Sequence, residues 1–173
     1  MKVMLAFAIM AFLAHSVSAQ SAKDLDSIPT NELIETAPSA HPFMLYTLSA
    51  RLLASGNGQD AAKWMYAGQL RYRFMIEALG DAAADERVLF SALTESVGRP
   101  VNEYIAGDPD EWIAAMQFAL DWDAVHDNTL TSKTEFASEL SGVRSGLAAL
   151  IDDVAANRQL IHERREAAGL PNR

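Results

Sequence analysis

The stretch WMYAGQLRYRF, residues 64–74, combines four aromatic side chains with two arginines. When it is placed on a helix of about 3.6 residues per turn, its apolar side chains surround most of the circumference. That distribution is typical of a helix that other helices cover on all sides. The stretch therefore predicts a central helix in an all-α fold.

Two permanent charges, Arg71 and Arg73, lie within this apolar stretch. An unpaired buried charge is very costly, so each guanidinium must meet a carboxylate or reach the protein edge. Arginine suits a carboxylate because its planar fork donates two parallel hydrogen bonds. The preferred partners are Asp121 and Asp123 of the segment LDWD, with Glu77 and Glu95 as weaker ones. We expect Arg71 to join two helices and Arg73 to extend into water. The alternative is an arginine that lines a groove and binds an acidic ligand or peptide terminus.

Helical signals continue on both sides of this stretch, and strand signals are nearly absent. The predicted helices begin at Pro42, run from about Gln59 to Leu79 and from about Ala82 to Val97, and begin again at Pro109 and near Ser132. Asp108 is the expected N-cap of the fourth helix, and Ser132 with Glu135 forms a capping box. The fold class is therefore all-α, a helical bundle or a short array of αα-hairpins with about five helices, in a single domain over residues 41–173.

Three details of these helices are specific enough to check. Gly98-Arg99-Pro100 should break the third helix, whose Val88 and Leu89 should face inward together with Leu93 and Val97. The apolar stripe from Phe136 to Ile161 meets no proline before Pro171, which allows one helix of about 30 residues. Gly142 and Gly146 on that helix should let another helix approach closely.

The first nineteen residues have the pattern of a secretory signal peptide. Lys2 precedes an apolar run from Val3 to Ala14, and Val17-Ser18-Ala19 offers a cleavage site. The run is shorter than the roughly 20 residues of a membrane span, although an uncleaved anchor is the alternative. We expect a mature chain that begins at Gln20, in the bacterial periplasm or secreted, and without stable membrane insertion. Residues 20–40 are predicted to be a mobile leader with a short helical piece near residues 31–36.

Composition narrows the possible partners. The chain has a formal charge of −9 and no cysteine. An exported chain without cysteine favours a bacterial periplasm over a small disulfide-stapled eukaryotic domain. An acidic surface repels phosphates, so nucleic acid is not an expected partner, whereas a cationic partner is compatible.

No familiar catalytic motif is present. The sequence lacks a cysteine nucleophile, a phosphate-binding loop and a dinucleotide glycine fingerprint, and no histidine lies near a G-x-S-x-G turn. Two polar clusters contain residue types that bind metals: residues 121–127, DWDAVHD, and residues 162–166, HERRE. The first matches no calcium loop, and the second lacks the second histidine of a zinc helix. We therefore predict no catalytic residue, no metal and no cofactor, and a protein that is not an enzyme.

Segments of this chain resemble two known groups of proteins. The hairpin Pro42–Leu79, through YTLSARLLASG and DAAKWMYAG, loosely resembles a tetratricopeptide-type helical repeat. The segments HPFMLY, WMYAGQLRYR, VGRPVNEYI, LDWD and GLPNR resemble those of a group of small exported bacterial proteins. The first resemblance implies a protein-binding or peptide-binding role. The second implies export and a helical fold, and adds nothing about chemistry.

The function expected from these observations is binding of another protein through one face of the Pro42–Leu79 hairpin. Tyr66 and Tyr72 are the expected contact residues, with Arg73 as a charged anchor, because such residues dominate binding hot spots. One specific version is an immunity protein to an exported toxin. The alternative is a helical bundle that binds a small ligand or a metal through an Arg/Asp/His cluster, namely Arg71, Arg73, Asp121, Asp123 and His126.

Overall fold

The structure is a computed structural model and describes residues 27–173. Within that range the chain forms helices joined by short turns, with no strand. The α-helices are α1 (Thr30–Thr36), α2 (Pro42–Ala54), α3 (Gly58–Leu79), α4 (Ala84–Leu93), α5 (Arg99–Ile105), α6 (Pro109–Val125), α7 (Ala137–Ala156) and α8 (Arg158–Ala167). The all-α helical bundle is confirmed, with more helical segments than the five predicted. None of the helices in residues 27–173 is long and apolar enough to cross a membrane.

Helix α3 is the centre of the bundle, as the stretch at residues 64–74 predicts. It packs against α2 and α6 most extensively, and also against α5 and α7. Helices α3 and α6 run parallel, since Gln59 donates to Glu111 near their starts and Arg71 meets Asp123 near their ends. Helix α7 returns antiparallel to both, with Arg144 bound to the Leu120 carbonyl.

Side-chain caps explain where several helices begin. Asp108 Oδ1 accepts hydrogen bonds from the Asp110 and Glu111 N–H groups at 3.0 and 3.1 Å, which confirms the predicted N-cap of α6. The Asn57 side chain accepts from Asp60 N–H at the start of α3, after the turn made by Gly56 at φ +83°. These caps satisfy N–H groups that have no partner within the helix.

The prediction that Gly98-Arg99-Pro100 breaks a helix is wrong. The chain passes from α4 into α5 through a π-turn at Thr94–Gly98, and the Arg99 N–H donates to the Thr94 carbonyl five residues back. Pro100 is tolerated because it lies in the first turn of α5, where a missing N–H costs little. A local widening of the helix therefore replaces the expected break.

The inward face predicted for the third helix is also partly wrong. Val88 is 72% exposed and Leu89 39% exposed, whereas Leu93 is buried. A 3₁₀ turn at Gly80–Ala83 precedes α4, and the helix directs Phe90 onto the Tyr72 ring, 5.2 Å between ring centroids. The spacing of apolar residues does not reveal this turn, so it predicts the wrong side of the helix as the buried one.

The apolar stripe after Phe136 does not form one helix. Asn157 separates α7 from α8, at φ −113° and ψ 17°, and its side-chain amide donates to the Asp153 carbonyl and carboxylate. The Asn157 side chain bonds the preceding turn and so offers the backbone an alternative to continuing the helix. Ser132 Oγ does accept from the Glu135 N–H, but the helix proper begins only at Ala137.

The leader predicted to be mobile over residues 20–40 is packed on the bundle from residue 28 onward. Leu33 and Ala37 belong to the core, and the carbonyls of Ile28 and Pro38 accept hydrogen bonds from Arg51 and Arg71. The short helical piece is confirmed as α1. The proposed signal peptide, residues 1–19, and the first residues of the leader lie outside the described range and stay predictions.

The segment GLPNR at the end of the chain is anchored rather than extended into solvent. The Arg173 guanidinium lies over the Tyr104 ring at 3.9 Å from its centroid and pairs with Glu111 at 2.5 Å. The Tyr104 ring also lies against Gly58, where a Cβ would collide with it. Glycine is thus required at residue 58 because a ring lies directly on the backbone.

Candidate functional site

Arg71 meets a carboxylate on another helix, as the sequence predicts, and the carboxylate is that of Asp123. Its Nε lies 3.4 Å from Asp123 Oδ1, and both side chains are 1% exposed. Trp122 covers the guanidinium, whose central carbon is 4.3 Å from the ring centroid. Burial lowers the pKa of Arg71, and the Asp123 charge opposes that effect. The arginine stays charged because its ordinary pKa is so high.

The expected fork-to-carboxylate geometry is wrong. Arg71 uses its terminal N–H groups on backbone carbonyls: Pro38 at 2.6 Å, Asp127 at 2.9 Å and His126 at 3.4 Å. Only Nε faces Asp123, in an ionic contact rather than a directed hydrogen bond. The arginine therefore joins the leader, the end of α6 and the following loop, which no local sequence pattern could indicate.

Two further cations reach the same carboxylate. Lys133 Nζ lies 3.2 Å from Asp123 Oδ1, and Arg144 Nη1 lies 3.0 Å from Oδ2. Lys133 also donates to the carbonyls of Asp123 and His126, and Arg144 to that of Leu120. Cations at a helix C-terminus are favoured by its exposed carbonyls. We call Arg71, Asp123, Lys133 and Arg144 the Arg71 cluster; its contacts are those of a structural clamp.

The remaining members of the predicted Arg/Asp/His cluster do not join this clamp to form a ligand site. Asp121 is exposed and accepts from Gln117 on its own helix. His126 stacks on Trp122, 5.0 Å between ring centroids, and its Nδ1 contacts the Trp122 carbonyl at 2.8 Å. Among residues 27–173 no group of three or more acidic or histidine side chains is arranged to hold a metal ion.

The exposed aromatic face predicted for the Pro42–Leu79 hairpin is wrong. Tyr66 and Tyr72 are buried, at 2% and 0% exposure, because α4, α5 and α6 cover them. Tyr66 Oη donates to Asn102 Oδ1 at 2.7 Å and accepts from the Trp112 indole N–H. Burial raises the pKa of both phenols. Of the three proposed contact residues only Arg73 is exposed.

A smaller polar group beside Tyr72 was not anticipated. His41 Nε2 lies 3.4 Å from Glu86 Oε1, while His41 Nδ1 accepts the Phe43 N–H at the start of α2. The pair borders a cavity of about 260 Å³ whose other walls are mainly apolar. Glu86 Oε2 is buried without a hydrogen-bond partner among the described residues.

A concavity with a volume of about 480 Å³ lies between α3 and α7. Its lining residues are Gln69, Leu70, Arg73 and Glu77 from α3, and Glu139, Gly142, Val143, Gly146, Leu147 and Leu150 from α7. We call this the α3–α7 groove. The close helix approach predicted at Gly142 and Gly146 is wrong, since a Cβ added at either position would meet no atom within 4 Å. The two glycines instead leave the groove open.

The charged residues of the groove are unpaired in the part of the chain that the structure describes. Arg73 lies over the Phe90 ring, 5.6 Å from its centroid, and forms no ion pair there. Glu77 and Glu139 also form none. The floor is aliphatic: Leu70, Val143, Leu147 and Leu150. This is a combination of apolar floor and polar rim, the usual anatomy of a binding surface.

No protein-family model, curated protein or solved structure matches this chain.

Proposed function

We propose that this protein is an exported, non-catalytic helical protein that binds a polypeptide partner in the α3–α7 groove. The observation that carries the proposal is the groove itself, about 480 Å³ of space over an aliphatic floor between two helices. Export rests on residues 1–19, whose pattern is that of a signal peptide. An immunity protein to an exported toxin is one specific form of the same function.

The contrast with the Arg71 cluster supports this choice of surface. Arg71, Lys133 and Arg144 already bind a carboxylate and several carbonyls, so they have little left to offer a ligand. The groove residues Arg73, Glu77 and Glu139 keep their charges free of ion pairs within residues 27–173. A partner would gain both apolar burial and charge pairing in the groove, the two components of a specific interface.

The polar groups of the groove favour binding over chemistry. Catalysis by side chains needs a base or nucleophile with a second group that orients it. Here the groove presents two carboxylates, one amide and one guanidinium, without a histidine, hydroxyl or thiol among its lining residues. Such a set recognises charge and shape rather than activating a bond.

The test fills the groove without disturbing the core. Gly146→Leu places a side chain into open space and replaces glycine by a stronger helix former, so the fold should be retained. The matched control is Ala148→Leu, which adds the same side chain on the opposite, exposed face of α7. Both variants and the wild-type protein would be compared by thermal melting and by capture of partners from the native cells.

We expect Gly146→Leu to melt at or above the wild-type temperature and to lose most of the captured partner. Ala148→Leu should capture as the wild-type protein does. Equal capture by the two variants would place the binding surface elsewhere and end the proposal.

A further inference from the structure

The walls of the α3–α7 groove have the length of a short helical segment. Its α3 wall runs over residues 69–77 and its α7 wall over residues 139–150. At 1.5 Å per residue these walls are about 12 and 17 Å long, which corresponds to two or three helical turns. Apolar side chains at Val143, Leu147 and Leu150 repeat every three or four residues, the spacing at which a second helix packs its own apolar face.

The groove also has a direction, because its two glutamates lie at the same end. Helix α7 runs antiparallel to α3, so Glu139 at the start of α7 is beside Glu77 at the end of α3. The opposite end is lined by Gln69 and Leu150 and carries no charge. Arg73 lies between, with its guanidinium drawn to the Phe90 ring. One end of the groove is therefore acidic and the other is neutral.

Charge complementarity decides between the possible occupants. The whole chain carries a formal charge of −9, so the net charges of two copies repel each other as a second copy approaches an acidic rim. A basic segment would instead pair with Glu77 and Glu139 while its apolar face covered the aliphatic floor. Gly142 and Gly146 add the width that a helix backbone needs along the α7 wall.

We propose that the occupant of the α3–α7 groove is an amphipathic helix of a partner protein whose basic end lies between Glu77 and Glu139. This inference rests on the proposed function and names the chemistry of the partner. Its apolar positions at i, i+3, i+4 and i+7 contact the half-buried side chains of Val143 and Leu150. Its lysines or arginines meet the two glutamates.

The test uses a pair of synthetic helical peptides of about 18 residues, with leucine at i, i+3, i+4 and i+7. One peptide carries lysines at one end, and its twin carries glutamates at the same positions. Binding to the purified protein is measured by fluorescence anisotropy of a dye on each peptide. The lysine peptide should bind at least about tenfold more tightly than its twin, and less tightly as salt rises.

The double variant Glu77→Gln/Glu139→Gln removes the acidic end and changes only exposed or half-buried side chains. In that variant the preference for the lysine peptide should fall below about threefold with an unchanged melting temperature. A variant that retained the full preference would overturn the assignment of these glutamates. Gly146→Leu should weaken both peptides, which distinguishes the groove from general attraction to an acidic protein.

The outcomes separate this inference from the proposed function. If Gly146→Leu loses partner capture but the wild-type protein binds both peptides equally, the groove is the binding site and its partner is not a basic helix. If the wild-type protein forms a dimer that Gly146→Leu disrupts, the occupant is a second copy and the inference is wrong. If Gly146→Leu captures partners normally, both proposals fail.

Discussion

Arg71 and Arg73 are two residues apart on one helix, and they lie in opposite environments. Arg71 is fully buried in a cluster with Asp123, Lys133 and Arg144, and it donates to three carbonyls from two segments, the leader and residues 126–127. Arg73 is exposed beside a groove, and its guanidinium lies over the face of Phe90. Two residues that are two positions apart on a helix differ by about 200° around its axis, so Arg71 and Arg73 reach different surfaces.

The comparison teaches how the molecule divides its charged residues between stability and recognition. In the Arg71 cluster every cation has partners, so removing one of its members leaves others unsatisfied. At the α3–α7 groove the charges contribute little to folding, because exposed groups are screened by water. Variants of the two regions should therefore differ in both the size and the sign of their effects.

The largest effect is expected for Asp123→Asn. The amide has nearly the same shape, but it removes the one negative charge among three cations and offers them an N–H group. We expect the free energy of unfolding to fall by about 3–5 kcal/mol, measured by urea denaturation. The control Asp121→Asn, on an exposed side chain two residues earlier, should change it by less than about 0.5 kcal/mol. Similar values for the two variants would refute the clamp.

Arg71→Met should be the next most damaging change. Methionine keeps the apolar stem, while the carbonyls of Pro38 and Asp127 lose their donor; Asp123 keeps Lys133 and Arg144. We expect a loss on the order of 3 kcal/mol, since each unsatisfied buried acceptor costs about 1–3 kcal/mol. Arg73→Met is the matched control and should melt within a degree or two of the wild-type protein, by differential scanning calorimetry.

Alkaline pH should destabilise the core around the buried tyrosines. The α3–α7 groove has no tyrosine among its lining residues and should not contribute to this effect. Burial raises the pKa of Tyr46 to about 12, and it also raises those of Tyr66 and Tyr72. The unfolded chain therefore loses its phenolic protons near pH 10 while the folded chain keeps them. This stabilisation is complete below about pH 10 and is lost as pH rises towards 12, by about 3 kcal/mol for Tyr46 alone.

The measurement is the free energy of unfolding as a function of pH over the alkaline range. Tyr46→Phe should decline less steeply than the wild-type protein, because one of the three phenols no longer titrates. Gly146→Leu should decline in parallel with the wild-type protein. A flat wild-type profile up to about pH 11 would contradict the burial of these hydroxyls as the cause.

The smallest effect, and the one of opposite sign, is expected for Gly146→Ala. The new Cβ meets no atom within 4 Å, and alanine favours a helix interior over glycine by up to about 1 kcal/mol. We expect the melting temperature to rise by a few degrees. Gly58→Ala is the contrasting change, because the Tyr104 ring lies on that backbone position and would have to move. It should destabilise by about 1–3 kcal/mol. A loss of stability in Gly146→Ala would mean that the groove is closed.

Local residue chemistry was sufficient for several features of the fold. The all-α class, the central position of α3, the Asp108 cap and the pairing of Arg71 with an acid of LDWD could all be predicted. Each depends on periodicity or on a contact within one turn of the chain, or on the simple cost of burying a charge. The identity of Lys133 and Arg144 as further partners of Asp123 had no local signal.

The sequence by itself determined which segments are helical and that a buried charge such as Arg71 needs a partner. Only the tertiary structure decided which carboxylate Arg71 meets, that Tyr66 and Tyr72 are covered, and that the leader from residue 28 is packed on the bundle. It also decided that the glycines of α7 border an open groove. The physical reason is that periodicity identifies the apolar side of a helix but not how far neighbouring helices extend across it. Burial and open space both depend on that distance, and it is set by side chains far apart in the chain.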